Sequence, residues 1–181
     1  MLILRIGKTL NLPTSIVRYS IVQGPRQSPR NIYSGALRIF VTQALANEPI
    51  TVYEDGKQTR DFVNIEDVAK ANVLILEDSR SNFEIYNVGG GVPYTVLDLA
   101  HMVKKITKSQ SQIEVKGEFR KTDTRHAVSD ISKLKSLSWK PQNTPEKSIT
   151  DYVSWLKEEK FDLSHIKNAR EELRKKGVVD S

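Results

Sequence analysis

Short runs of β-forming residues alternate with stretches of helical apolar spacing along the 181-residue chain. Residues 14 to 22 (Thr-Ser-Ile-Val-Arg-Tyr-Ser-Ile-Val) are almost continuous β-formers, stopped by Gly24-Pro25. Such a run predicts a strand buried on both faces, as in a parallel sheet. Leu37, Ile39, Phe40, Val41, Ala44 and Leu45 predict a helix opened by Ser34 or Gly35. Ile50 to Tyr53 reads as a strand, Glu54 to Lys57 as an Asp-Gly turn, and Phe62-Val63 as the start of another short strand. Asn64 is a good N-cap for the helix that follows, with Asp67 in the capping-box position. Glu84 to Val88 is a further strand, followed by Gly89-Gly90-Gly91 and a helix capped by Thr95 and Asp98. Ile113 to Val115 is a strand, Asp130 to Leu137 a short helix, and Thr144-Pro145 a helix start with proline at the first helical position. Leu2, Ile3, Ile6 and Leu10 form a stripe with no N-cap before it, so residues 1 to 11 read as the end of a helix stopped by Asn11. Residues 157 to 181 are rich in Lys and Glu and read as a solvated helical tail. Strands alternating with helices place the chain in the α/β class.

Composition narrows the function. No apolar run approaches the roughly 18 residues of a membrane helix. Cysteine is absent, which excludes disulfides and thiolate metal sites and makes the cytoplasm the expected compartment. The net charge of +6 suits an anionic ligand. The basic residues are scattered and no aromatic stacking platform interleaves with them, so nucleic acid is not the expected partner.

The chemistry concentrates in residues 53 to 67. Arg60 follows a glycine turn, where a fork of donors can meet an anion. Tyr53 and Lys57 have Tyr-x-x-x-Lys spacing, but a Glu-Asp-Gly turn between them denies the single helix face that a catalytic pair requires. The glycines at 89 to 91 lack both G-x-G-x-x-G and G-K-[S/T] spacing, so they read as a turn with unusual backbone angles rather than a phosphate cradle. His101, His126 and His165 have no spacing that suggests a metal site or triad.

The segment Asp55-Gly-Lys-Gln-Thr-Arg-Asp-Phe-Val-Asn-Ile-Glu-Asp67 resembles the DG-x-Q-x-RD motif of the extended short-chain dehydrogenases that epimerise or dehydrate nucleotide sugars with NAD. Other segments match the family in order: Arg18-Tyr19 with Gly24-Pro25-Arg26-Gln27, then Tyr86-Asn87-Val88-Gly89, Arg120 with Asp123, Asp130 to Lys133, and Trp139-Lys140-Pro141. The stretch from Arg18 to Gln27 looks most like the branch that includes dTDP-L-rhamnose 4-epimerases.

The resemblance covers only the C-terminal half of such an enzyme. It implies the last strands of a Rossmann-type doubly wound sheet (residues 1–33 and 61–91) and a smaller α/β substrate lobe (34–60 and 92–160), with a solvated tail at 161–181. The cofactor half, with its glycine loop and helical Tyr-x-x-x-Lys, would precede Met1, so the isolated chain is expected to be inactive. The complete enzyme passes through a transient 4-keto sugar, and family members are commonly homodimers. By the resemblance, Arg60 and Arg120 reach the substrate diphosphate and Asp123 the ribose, while Ser34, Tyr53 and Val88 line the substrate cleft and Tyr19 and Ser20 lie beside NAD. Catalytic residues and metal ligands are not expected in this portion. Many relatives have Asn where this chain has Ile21, so that substrate contact is lost or falls to Ser20 or Gln23. Truncation would leave the strand at 14–22 short of a neighbour, an association hazard.

Overall fold

A computed structural model describes residues 2–29, 31, 35–117, 119 and 123–161. Helix α1 (Leu2–Thr9) is followed by β1 (Ile16–Tyr19), β2 (Ile21–Gln23), α2 (Ala36–Leu45), β3 (Ile50–Val52), β4 (Thr59–Asn64) and α3 (Ile65–Glu77). Then come β5 (Ile85–Val88), β6 (Pro93–Thr95), α4 (Val96–Thr107), β7 (Ile113–Val115), β8 (His126–Ala127), α5 (Ser132–Lys135) and α6 (Pro145–Glu158). The pairs β1–β5, β2–β4, β3–β7 and β4–β8 are parallel, and β4–β6 is antiparallel. Parallel pairing needs long crossovers, and helices supply them. The α/β expectation holds.

The run at 14–22 is two strands rather than one. At Ser20 the chain changes partners: β1 lies on β5 and β2 lies on β4. The Ser20 amide still donates to Val88 O at 2.9 Å. Burial on both faces is not observed for β1, whose Ile16 and Val17 are half-buried and whose Arg18 and Tyr19 are exposed. Among the described residues β1 has a neighbour on one edge only, β5. Helix α1 buries only Gly7, against Thr14, while Leu2, Ile3, Ile6 and Leu10 face outward. Asn11, at φ 50°, ends it as expected.

Two apolar clusters meet at β4. Phe62 belongs with Leu37, Val41, Leu99, Ile149 and Tyr152. The next residue, Val63, belongs with Val68, Tyr86, Val88, Leu134 and Trp139. Successive strand side chains point to opposite faces, so one strand serves both clusters.

The Thr95–Asp98 capping box and the Thr144 cap with Pro145 form as expected. Helix α2 opens on Gly35. The helix expected over 130–137 is shorter, Ser132–Lys135. Asn64 caps α3 by accepting the Glu66 amide at 2.8 Å, but Asp67 does not complete a capping box. Its carboxylate, 1% exposed, instead accepts the amides of Gln142 and Asn143 and the Asn143 side chain. Three donors from a distant loop outbid one local amide.

Asp67→Ala is therefore expected to destabilise the chain by about 1–3 kcal/mol, because it removes the acceptor of three part-buried bonds. Removing the exposed capping box through Asp98→Ala should cost about 1 kcal/mol. Urea unfolding distinguishes the two, and equal small losses would show that Asp67 acts only as a cap.

Candidate functional site

The organising element is β4. It runs beside β2 at Phe62–Asn64, beside β6 at Thr59–Asp61 and beside β8 at Thr59–Arg60. Along its length the side chains alternate between two jobs. Gln58, Arg60 and Phe62 face a cleft, whereas Asp61 and Val63 face the opposite side.

The opposite side carries a buried carboxylate hub. Asp61 is 2% exposed. Its Oδ1 accepts the amides of Gly90 at 2.7 Å and Gly91 at 3.0 Å. Its Oδ2 accepts the Ser20 hydroxyl at 2.8 Å and the Ser129 amide at 3.2 Å. Since Ser20 spends its proton on Asp61, the 2.6 Å contact between the Ser20 and Ser129 hydroxyls is donated by Ser129. Four neutral donors hold the charge in place of a cation.

This hub explains the glycines, and corrects their reading as a turn of unusual angles throughout. Only Gly91 has a left-handed backbone, φ 67°. A Cβ on Gly89 would stand 2.2 Å from Asp61 Oδ2, and one on Gly90 would stand 2.3 Å from the Phe62 carbonyl oxygen. Close approach, not dihedral freedom, demands those two. The turn cannot cradle a phosphate, because its amides already serve a carboxylate.

The cleft is lined by Ile21, Gly35, Ala36, Ile39, Phe40, Thr51, Tyr53, Gln58, Arg60, Phe62, Val96 and Asp123. Its empty volume, open mouth included, is about 720 Å³. The walls are apolar and the polar groups few, the usual character of a small-molecule site. Arg60 Nη1 donates to the carbonyls of Thr59 at 2.9 Å and Arg125 at 3.2 Å, which fixes the guanidinium. Its Nη2 stands 3.6 Å from Asp123 Oδ2, close enough for ion pairing but too long for a hydrogen bond. A fixed, mostly buried guanidinium facing an exposed carboxylate can exchange that partner for a phosphate.

Arg125 pins the loop beyond Asp123. It forks onto Asp55 with two bonds of 2.7 Å and reaches Glu54 at 2.7 Å. This bonding holds the Asp55 carboxyl far below its usual range and the Arg125 guanidinium above its own. The β3–β4 turn and the Asp123–Ala127 segment are thus tied together at the rim.

Of the expected site residues, the structure brings Tyr53, Arg60 and Asp123 to one cleft. Ser34 and Arg120 lie outside the described residues, although Gly35 and Asp123 beside them line it. Val88 is fully buried in the second apolar cluster and lines no part of this cleft. Tyr19 is 48% exposed and donates its hydroxyl to Asn72. The Ser20 hydroxyl is committed to the Asp61 hub. Gln23 is 1% exposed, and neither side-chain amide atom has a hydrogen-bond partner. Tyr53 and Lys57 flank a turn, as expected. Among the described residues no group of His, Asp and Glu could hold a metal, and no helix is long and apolar enough to cross a membrane. Gln58 and Asp61 stand in the matched motif without a role of their own in the sequence reading. The alternation Gln58–Arg60–Phe62 is their signal, and it begins before Phe62, where the apolar pattern starts.

Comparison with known proteins agrees with this architecture. Residues 1–89 match the model of the NAD dependent epimerase/dehydratase family. A dTDP-L-rhamnose 4-epimerase from Burkholderia thailandensis is 38% identical over 148 residues, 81% of this chain and 40% of that protein. The crystal structure of a UDP-glucose 4-epimerase with UDP-glucose from Thermotoga maritima superposes with a TM-score of 0.82 at 30% identity, over 89% of this chain and 51% of that one. A Bacillus cereus UDP-glucuronic acid 4-epimerase, in complex with UDP-glucuronic acid and NAD, superposes with a TM-score of 0.73 at 28% identity, over 86% of this chain and 49% of that one. The chain thus spans about 40–50% of the length of these relatives.

The Arg125 clamp has a defined pH signature. A depressed carboxyl stabilises the fold above the ordinary Asp value and loses that contribution as pH falls through the folded value. The melting-temperature difference between the wild type and Arg125→Ala should be constant from pH 7 to 5 and shrink below about pH 4. A difference that grows on acidification would contradict the clamp.

Proposed function

We propose that the chain belongs to the NAD dependent epimerase/dehydratase family, whose model matches residues 1–89, and that it is the substrate-binding C-terminal portion of a nucleotide-sugar epimerase or dehydratase. The observation that carries this reading is the cleft in which a fixed Arg60, Asp123 and Tyr53 converge on apolar walls. Arg60 and Arg120 bind the nucleotide diphosphate, and Asp123, displaced from Arg60, takes the ribose hydroxyls. The grip falls on the part of the substrate that does not react, and so positions the sugar.

NAD supplies the hydride chemistry of the family. The described residues do not fit it. The glycine turn after β5 spends the amides of Gly90 and Gly91 on the Asp61 carboxylate, which would also repel a pyrophosphate, and Ser20 is engaged by the same carboxylate. No hydride step is assigned to this chain, and the isolated chain is expected to show no epimerase turnover.

A second reading is a split-protein subunit, or a remnant that binds nucleotide sugar without turnover. The outward apolar face of α1 and the one-sided pairing of β1 among the described residues suit a covering partner in either reading, and turnover on adding a separate cofactor-binding half separates the two.

Calorimetry with UDP and dTDP tests the grip. Arg60→Ala and Arg120→Ala should each weaken binding by about 1.5–3 kcal/mol, the range for hydrogen bonds to charged groups. Binding unchanged in both variants would remove the diphosphate from this cleft.

A further inference from the structure

Arg125 lies outside the cleft, and so does its partner Asp55, for neither lines it. Yet Arg125 is bonded at both ends to what the cleft depends on. Its main-chain oxygen accepts twice from β4: from the Thr59 amide at 3.2 Å and from Arg60 Nη1 at 3.2 Å. Its guanidinium spends Nη1 and Nη2 on three carboxylate oxygens of Glu54 and Asp55. One cation set against two carboxylates offers no net positive charge to a phosphate, so Arg125 is not another arm of the diphosphate grip. The β3–β4 turn it holds is itself anchored. The Leu97 amide, at the start of α4, donates to the Gly56 carbonyl at 3.0 Å, and the Lys57 amide donates to Asp55 Oδ1 at 3.0 Å. Gly56 has φ 74°, and a Cβ there would stand 3.0 Å from Val52 and 3.1 Å from Leu97. By contrast β8, the strand beside the Arg125 carbonyl, is two residues long and exposed at both. So short and solvated a ladder is a weak hold by itself.

We propose that Arg125 is a positioning residue for Arg60: its fork on Asp55 and Glu54 holds the carbonyl that aims the Arg60 guanidinium into the cleft. The proposal rests on the nucleotide-sugar reading above for its ligand, and adds to it the residue that controls the phosphate-binding arm. A donor fixed before the ligand arrives loses less freedom on binding, so the fork raises affinity without touching the ligand.

Arginine-guanidinium NMR and calorimetry with UDP, both on the full chain, test this with Arg125→Met, Asp55→Ala, Arg60→Ala and Arg60→Ala/Arg125→Met. In the wild type, the bonds of Arg60 Nη1 to two carbonyls should slow guanidinium rotation and resolve its Nη signals. Those signals should merge in Arg125→Met and in Asp55→Ala. Each of these variants should bind UDP about tenfold more weakly. Once Arg60 is alanine, Arg125→Met should cost less than about twofold, because residues that act as one unit are not additive. A residue that only stabilised the fold would weaken both backgrounds alike. Thermal unfolding shows which variants are folded, and Asp55→Ala decides if Arg125→Met is not. Resolved Arg60 signals or undiminished UDP binding in a folded variant overturn the inference and leave the functional reading standing. So does an equal loss in both backgrounds. UDP binding that Arg60→Ala leaves unchanged overturns the functional reading instead, and the NMR signals then decide the positioning alone.

Discussion

The Asp61 carboxylate is the constraint on which the site depends. It is buried on β4 and accepts hydrogen bonds from segments far apart in sequence: Ser20 at the strand break, Gly90 and Gly91 after β5, and Ser129 beyond β8. A buried charge without these donors would be too costly to keep. With them it becomes a fastener, because each donor must sit within hydrogen-bond reach for the fold to be stable. The neighbouring Arg60 is thereby set on the opposite face with little freedom, and Arg125 closes the rim by holding the adjacent turn.

The same alternation gives the chain two apolar clusters from one strand. Phe62 closes the cluster of α2, α4 and α6 under the cleft, and Val63 closes the cluster of α3, α5 and β5. Arg60 and Phe62 therefore line the cleft from a paired strand, while Asp123 comes from a loop at the mouth. That division suits the proposed ligand, with its phosphates held and its sugar presented elsewhere.

Much of the fold was legible because its signals are local. Asn11, Thr95 with Asp98, and Thr144 with Pro145 act where their side chains say they should. The misses share a cause, which is pairing at long range. Gln58 to Asp61 carry no apolar strand pattern because their neighbours are a cleft and an internal carboxylate hub, not a core. Asp67 looks like a cap but is claimed by a loop 75 and 76 residues away. The short β6 and β8 exist only as partners of β4. Gly89 and Gly90 are required by two atoms, Asp61 Oδ2 and the Phe62 carbonyl oxygen, that sequence spacing cannot place beside them. Within the site, Arg60, Tyr53 and Asp123 were legible through motif resemblance. Gln58 is in the same motif, but its burial is visible only in three dimensions.

The most direct test of the account is an amide-resolved NMR titration of the isotope-labelled chain with UDP. The account predicts that the largest shifts fall on Gly35, Ala36, Tyr53, Gln58, Arg60 and Asp123. The amides of Gly90 and Gly91, held by Asp61, should stay in place. Shifts centred on the glycine turn, with the cleft unmoved, would contradict it.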